Sequence, residues 1–129
     1  MNGRFLLDTN IVIAIFANEA AVQASIANAT EVFIPAIVLG ELYYGAYKST
    51  RVTENIAKVN EFAMSNSILV CDSRTAREYG QTKNELRSKG RPIPENDIWI
   101  AAIAKQYSLT LVTRDAHFGE VDNLTIVTW

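Results

Sequence analysis

Four acidic residues stand where carboxylates can do chemistry: Asp8, Glu41, Asp97 and Asp115. Asp8 ends the apolar run Phe5-Leu6-Leu7. Such a run fits a strand buried on both faces, as in a parallel sheet. A carboxylate at the carboxyl end of a strand sits where open α/β sheets form their ligand crevice. Glu41 lies inside a predicted helix, with Ile37, Val38 and Gly45 three or four residues away on the same face. Asp97 falls in the first turn of the most apolar helix, just before Ile98-Trp99-Ile100. Asp115 follows the predicted strand Leu109 to Thr113 by two residues.

Each acid also has a plainer reading. Asp8 and Asp115 can be caps, Asp97 can favour a helix N-terminus, and Glu41 can be an acid on a helix rim. What sets them apart is that all four can face one edge of one sheet. Carboxylates brought together repel and raise each other's pKa values unless a cation sits between them. With no His or Cys cluster, an all-oxygen set suits Mg²⁺ or Mn²⁺ and disfavours zinc. A divalent ion held this way can lower the pKa of a bound water, orient a phosphate ester and stabilise its leaving oxygen.

The elements that must position these acids can be read in order. After the first strand, Ile11 to Ala17 and Ala20 to Ala29 read as helices, with Thr9 and Asn10 as candidate caps. Val32 to Ile34 is a strand, and Pro35 suits the first turn of a helix running to about Lys48. Residues 51–65 carry apolar positions at helical spacing, and Ile68 to Val70 is a third strand. Asp72 or Ser73 caps the next helix, which Gly90 ends. Glu95 to Tyr107 is a helix, nearly all apolar from Ile98 to Ala104 and so expected to be buried. Leu109 to Thr113 and Leu124 to Thr128 complete the strands. Strands alternating with helices predict an α/β fold, with a mainly parallel sheet of about five strands and helices on both faces.

Composition narrows the class. A chain of 129 residues is expected to form one domain, 1–129, with a real core. At 49% apolar residues it is neither disordered nor membrane-spanning, since its longest apolar runs, Ile11 to Ala17 and Ile98 to Ala104, fall far short of a span. No signal peptide is visible, and the lone Cys71 has no disulfide partner, so the cytoplasm is the expected compartment. Cys71 follows a strand-like run and is expected to be a buried structural thiol. The net charge of −2 gives no global pull towards nucleic acid. Residues 72–91, however, hold six Lys and Arg against three acids, Asp72, Glu78 and Glu85, a local balance of +3. Within it Lys83 and Arg87 are candidate phosphate contacts, beside the ordinary reading of a solvated helix face. His117, the only histidine, is read as a capping or packing residue ahead of a proton-transfer role.

Four motifs carry a resemblance. They are Leu6-Leu7-Asp8-Thr9-Asn10, Glu41-Leu42-Tyr43-Tyr44-Gly45, Asn96-Asp97-Ile98-Trp99-Ile100-Ala101-Ala102 and Thr113-Arg114-Asp115-Ala116-His117-Phe118. In this order and spacing the chain resembles a PIN-domain ribonuclease, and more narrowly a VapC-type toxin of a toxin–antitoxin pair. The resemblance implies a PIN-like three-layer sandwich and metal-dependent endonucleolytic cleavage of RNA. It implies that Asp8, Glu41, Asp97 and Asp115 hold one or two Mg²⁺ or Mn²⁺ ions, with Thr9, Asn10 and Thr113 as support. It further implies a small VapB-like antitoxin that blocks the site, and a homodimer.

Other functions fit less well. A haloacid-dehalogenase-like phosphatase would use Asp8 as a nucleophile within Asp-x-Asp, but the third position here is Asn10. As a non-catalytic binding module, a nucleotide-binding domain would need a Gly-rich turn after the first strand, and Asp8-Thr9-Asn10-Ile11 has no glycine. A phosphoacceptor receiver could use Asp72, but Thr113-Arg114-Asp115 lacks the Lys it would want. The intact acidic set argues against an inactive scaffold of the same fold.

Overall fold

The computed structural model describes residues 3–129. Five short strands form one sheet: β1 (Arg4–Leu7), β2 (Glu31–Pro35), β3 (Ser67–Leu69), β4 (Thr110–Val112) and β5 (Ile126–Val127). Six α-helices flank it: α1 (Thr9–Phe16), α2 (Ala20–Asn28), α3 (Ala36–Lys48), α4 (Val52–Met64), α5 (Ser73–Ser88) and α6 (Glu95–Gln106). The result is a three-layer α/β sandwich. The strand order is β3-β2-β1-β4-β5, and all the described pairings are parallel rather than mainly so. The chain winds outwards from β1 to β3, then returns to place β4 on the other side of β1. That reversal puts the crevice of an open α/β sheet beside the carboxyl ends of β1 and β4.

The centre of the sheet is the centre of the core. Leu6 pairs with Leu111 and Leu7 with Val112, and all four side chains are fully buried. Helix α6 explains its own apolar run, because Ile98 and Ile100 to Ala104 are all buried. Helix α5 is built the other way, buried only along Thr75, Thr82 and Leu86, so its charged residues face water. Among the described residues no single helix is long and apolar enough to cross a membrane.

Several local expectations are corrected. Helix α1 begins at Thr9, and its cap is Asp8 itself, which accepts a hydrogen bond from the Thr9 N–H. Pro35 ends β2 and caps α3 from outside the first turn, with an extended backbone at φ −68° and ψ 140°. Of the two expected caps of α5, Asp72 is the one used, in a reciprocal box with Thr75. Strand β3 stops at Leu69, so Val70 and Cys71 leave the edge of the sheet and both are exposed. Cys71 is therefore not a buried structural thiol. Partial burial and the Asp72 carboxylate raise its pKa, which makes it a poor nucleophile.

Leu6→Ala removes a fully buried side chain between two neighbouring strands and should cost about 3 kcal/mol in urea-induced unfolding. A loss well under 1 kcal/mol would mean that β1 is not the core of the fold.

Candidate active site

The sheet places Asp8 and Thr113 side by side. The Asp8 N–H donates to the Val112 carbonyl at 3.0 Å, and the Thr113 N–H donates to the Val127 carbonyl at 3.0 Å. Both residues thus continue parallel strands for one step beyond their ends. Asp8 is 4% exposed and Thr113 2%. Burying a carboxylate is costly unless its oxygens are satisfied. Asp8 meets that condition with three donors: the Thr9 N–H at 2.8 Å, Asn10 Nδ2 at 3.3 Å and Thr113 Oγ1 at 2.7 Å.

The same supporting residues reach outwards to the other acids. Thr9 Oγ1 donates to Glu41 Oε1 at 2.7 Å, fixing the half-buried acid of α3 against the start of α1. Asn10 Oδ1 accepts from the Arg114 N–H at 3.2 Å, and Thr113 Oγ1 accepts from the Asp115 N–H at 3.0 Å. The Arg114 side chain grips Glu19 with two hydrogen bonds, 2.7 and 3.3 Å, and so ties the loop after β4 to the start of α2. Asp115 caps the 3-10 turn Ala116–Glu120 by accepting from the His117 N–H, and Phe118 anchors that turn in the core.

Asp97 comes from the opposite direction. Helix α6 runs against the strands, so its first turn reaches the edge where β1 and β4 end. Asp97 Oδ2 lies 3.4 Å from His117 Nδ1, and Asp115 Oδ1 lies 3.0 Å from the same nitrogen. One ligand atom from each of Asp97, Asp115 and His117 falls within 4.8 Å of the others. Asp97 and His117 thus meet at the edge that Asp8, Thr9, Asn10, Glu41, Thr113 and Asp115 line.

The electrostatics follow from this crowding. Burial raises the Asp8 pKa, the Thr113 and Thr9 hydrogen bonds pull it back, and Glu41 and Asp115 push it up again. Burial pushes Asp97 up to about 6, helped by the Asp8 and Asp115 charges, and His117 opposes the shift. Among the described residues no Lys or Arg forms an ion pair with any of the four acids, and His117 is the one basic group paired with any of them. A partly buried set of carboxylates without a Lys or Arg partner among the described residues fits a divalent cation, which would relieve the repulsion.

Lys83 and Arg87 do not reach this cluster. Lys83 Nζ pairs with Glu95 and donates to the Tyr79 hydroxyl at 3.2 Å, and the Tyr79 ring stacks on Trp99 at 3.9 Å. Its charge is therefore engaged at the start of α6, two residues before Asp97. Arg87 is exposed on α5. The residue undervalued by sequence alone is His117. It read as a capping or packing residue, and only the turn of the chain after β4 shows that its ring faces Asp97.

An all-parallel α/β sandwich with acids gathered at its topological switch defines the class of domain. A model of the PIN domain matches residues 5–124, and the chain belongs to the PIN-domain family. Its relatives place it more narrowly. It is 36% identical to a protein of Haemophilus influenzae named Ribonuclease VapC2, with 98% of each chain covered. It is 33% identical to a protein of Shigella flexneri named tRNA(fMet)-specific endonuclease VapC, again with 98% of each covered. Its fold matches a chain in a crystal structure of DNA-bound VapBC from Salmonella typhimurium with a TM-score of 0.91, at 32% identity over 98% of each chain.

The raised Asp97 pKa predicts a pH-dependent cost. Below 3.8 Asp97 is protonated folded or unfolded, and above about 6 it is charged in both states. Between these values the folded state binds more protons, so the wild type loses stability with rising pH. Asp97→Asn should therefore match wild type at low pH in EDTA and exceed it above pH 6, by on the order of 1 kcal/mol. It should also lose most of the thermal stabilisation that Mg²⁺ gives the wild type. If the variant melts lower in EDTA and gains equally from Mg²⁺, Asp97 is only a helix-start residue.

Proposed function

We propose that the chain is a metal-dependent endoribonuclease of the VapC type, with Asp8, Glu41, Asp97 and Asp115 holding one or two Mg²⁺ or Mn²⁺ ions. The observation that carries this reading is the convergence of four carboxylates without Lys or Arg partners at the ends of β1 and β4. The kinship to proteins named ribonuclease VapC supports RNA as the substrate. A bound ion would supply an activated water, an oriented phosphate and a stabilised leaving oxygen.

The chain's own residues do the positioning. Thr113 and the Thr9 N–H hold Asp8 in one orientation, with an oxygen edge towards the crevice. The Thr9 hydroxyl holds Glu41, so one residue at the start of α1 sets two acids. Asn10 ties Asp8 to the loop that carries Asp115. His117 bridges Asp97 and Asp115 and can hold a proton between them at Nδ1. The VapBC complex of Salmonella typhimurium supports a small VapB-like antitoxin as the partner that would cover this crevice, and the homodimer belongs to the same reading.

The protein should cut RNA with Mg²⁺ or Mn²⁺ and stop in EDTA. Asp8→Asn should abolish cleavage, a loss of a hundredfold or more, while circular dichroism shows the fold intact. Cleavage that persists after the metal is stripped would overturn the mechanism.

A second test concerns substrate binding. Lys83 and Arg87 belong to this reading as phosphate contacts on α5. Lys83→Ala with Arg87→Ala should flatten the dependence of RNA affinity on salt, because fewer counterions are released. An unchanged slope would move RNA to another surface.

A further inference from the structure

Beside the acids lies a second cleft, of about 600 Å³, whose walls include Thr9, Glu41, Tyr44, Lys48 and Asn96. It shares Thr9 and Glu41 with the acidic site, and Asn96 precedes Asp97. Tyr44 is one helical turn beyond Glu41 on α3, and Lys48 one turn beyond Tyr44. Tyr44 is 65% exposed, and Lys48 Nζ lies over its ring, 4.8 Å from the centroid. A single exposed aromatic is ordinary. This one stands beside the acidic crevice with a cation against it.

The floor of the cleft carries a further sign. Gly40 and Gly45 both line it, and both lie inside α3, where glycine weakens a helix. Packing does not require either, since a Cβ at each position would meet nothing within 4 Å. Neither has a positive φ. What the missing side chains provide is an open, flat floor beside the Tyr44 ring.

We infer that this cleft is a nucleotide subsite, in which an unpaired base of the RNA stacks on Tyr44 while Lys48 and Asn96 hold its phosphate, next to the bond that is cut. The inference rests on the ribonuclease reading and deepens it. Every base has a π-face, so an aromatic platform accepts an unpaired base, whereas a base inside a duplex cannot reach it. Lys48 would swing off that face on its flexible stem to let a base stack, and its charge would then meet the phosphate that the base carries. Tyr44 is a positioning residue for that nucleotide.

The probe is a labelled, unpaired oligoribonucleotide pool of mixed sequence, bound to Asp8→Asn protein with Mg²⁺ present so that nothing is cut. Adding Tyr44→Ala should weaken binding about tenfold, whereas Tyr44→Phe, which keeps the ring, should bind as the parent does. Gly40→Ala should raise the melting temperature, because alanine favours the helix, and yet weaken binding. Annealing the pool to its complement should abolish the Tyr44 effect. Equal binding by Tyr44→Ala and its parent overturns the subsite. So does a Tyr44→Ala variant that changes only the oligomeric state in light scattering or only the affinity for an antitoxin. The two readings separate cleanly. If the wild type cuts RNA but Tyr44→Ala binds unchanged, only the subsite falls. If the wild type neither cuts nor binds RNA, both fall.

Discussion

Strands β1 and β4 are neighbours that run the same way, and the rest of the site depends on that pairing. The Asp8 N–H reaches the Val112 carbonyl, which fixes the end of β1 against the end of β4. Thr113 then lies beside Asp8, close enough for its hydroxyl to hold the carboxylate. These residues are 105 positions apart in the chain. Nothing local brings them together. The fully buried pairs Leu6–Leu111 and Leu7–Val112 do, by making the register the one arrangement that buries both apolar runs.

That scaffold is needed because the site is electrostatically unfavourable by itself. Two unit charges about 4 Å apart at an effective dielectric near 20 interact by roughly 4 kcal/mol. Water and partial protonation reduce this; at Asp97 burial first, and the Asp8 and Asp115 charges second, raise the pKa. The remainder is carried by hydrogen bonds that lock the acids in place. Thr9, Asn10 and Thr113 each touch two partners in the cluster, so neither Asp8 nor Glu41 can turn away without breaking a hydrogen bond. Such a network resists relaxation, and it leaves an added cation as the means of lowering the repulsion.

What was legible in the sequence is what depends on local pattern. The Phe5-Leu6-Leu7 run, the apolar stretch of α6 and the alternation of strands with helices each report their own burial. They sufficed for the sheet, its helices and the four acids at one edge. What stayed hidden depends on how distant segments meet. The exposure of Cys71 follows from β3 ending at Leu69 on the edge of the sheet. The ion pair of Lys83 with Glu95 follows from α5 packing on α6. The contact of His117 with Asp97 follows from a 3-10 turn that Phe118 pins into the core. None of these has a periodicity that a single sequence displays.

Capping and ligation are compatible roles here. Asp8 caps α1, Asp115 caps the turn after β4, and Asp97 sits in the first turn of α6. A cap is an acid whose position is set by backbone N–H groups, and a helix start favours negative charge. Asp8 and Asp115, as caps, are therefore placed by the backbone rather than by a flexible side chain on a surface. A cap is worth about 1 kcal/mol, so each also offsets part of the cost of keeping its charge near the others. Among the described residues two of the four acids receive no backbone N–H bond: Asp97, which meets His117 alone, and Glu41, which lies within α3. Glu41 is the acid that Thr9 holds through a side chain, and it is also the one that borders the cleft beneath Tyr44. That carboxylate thus stands between the acidic crevice and the cleft beside it, held from the side of α1 by the same residue whose N–H donates to Asp8.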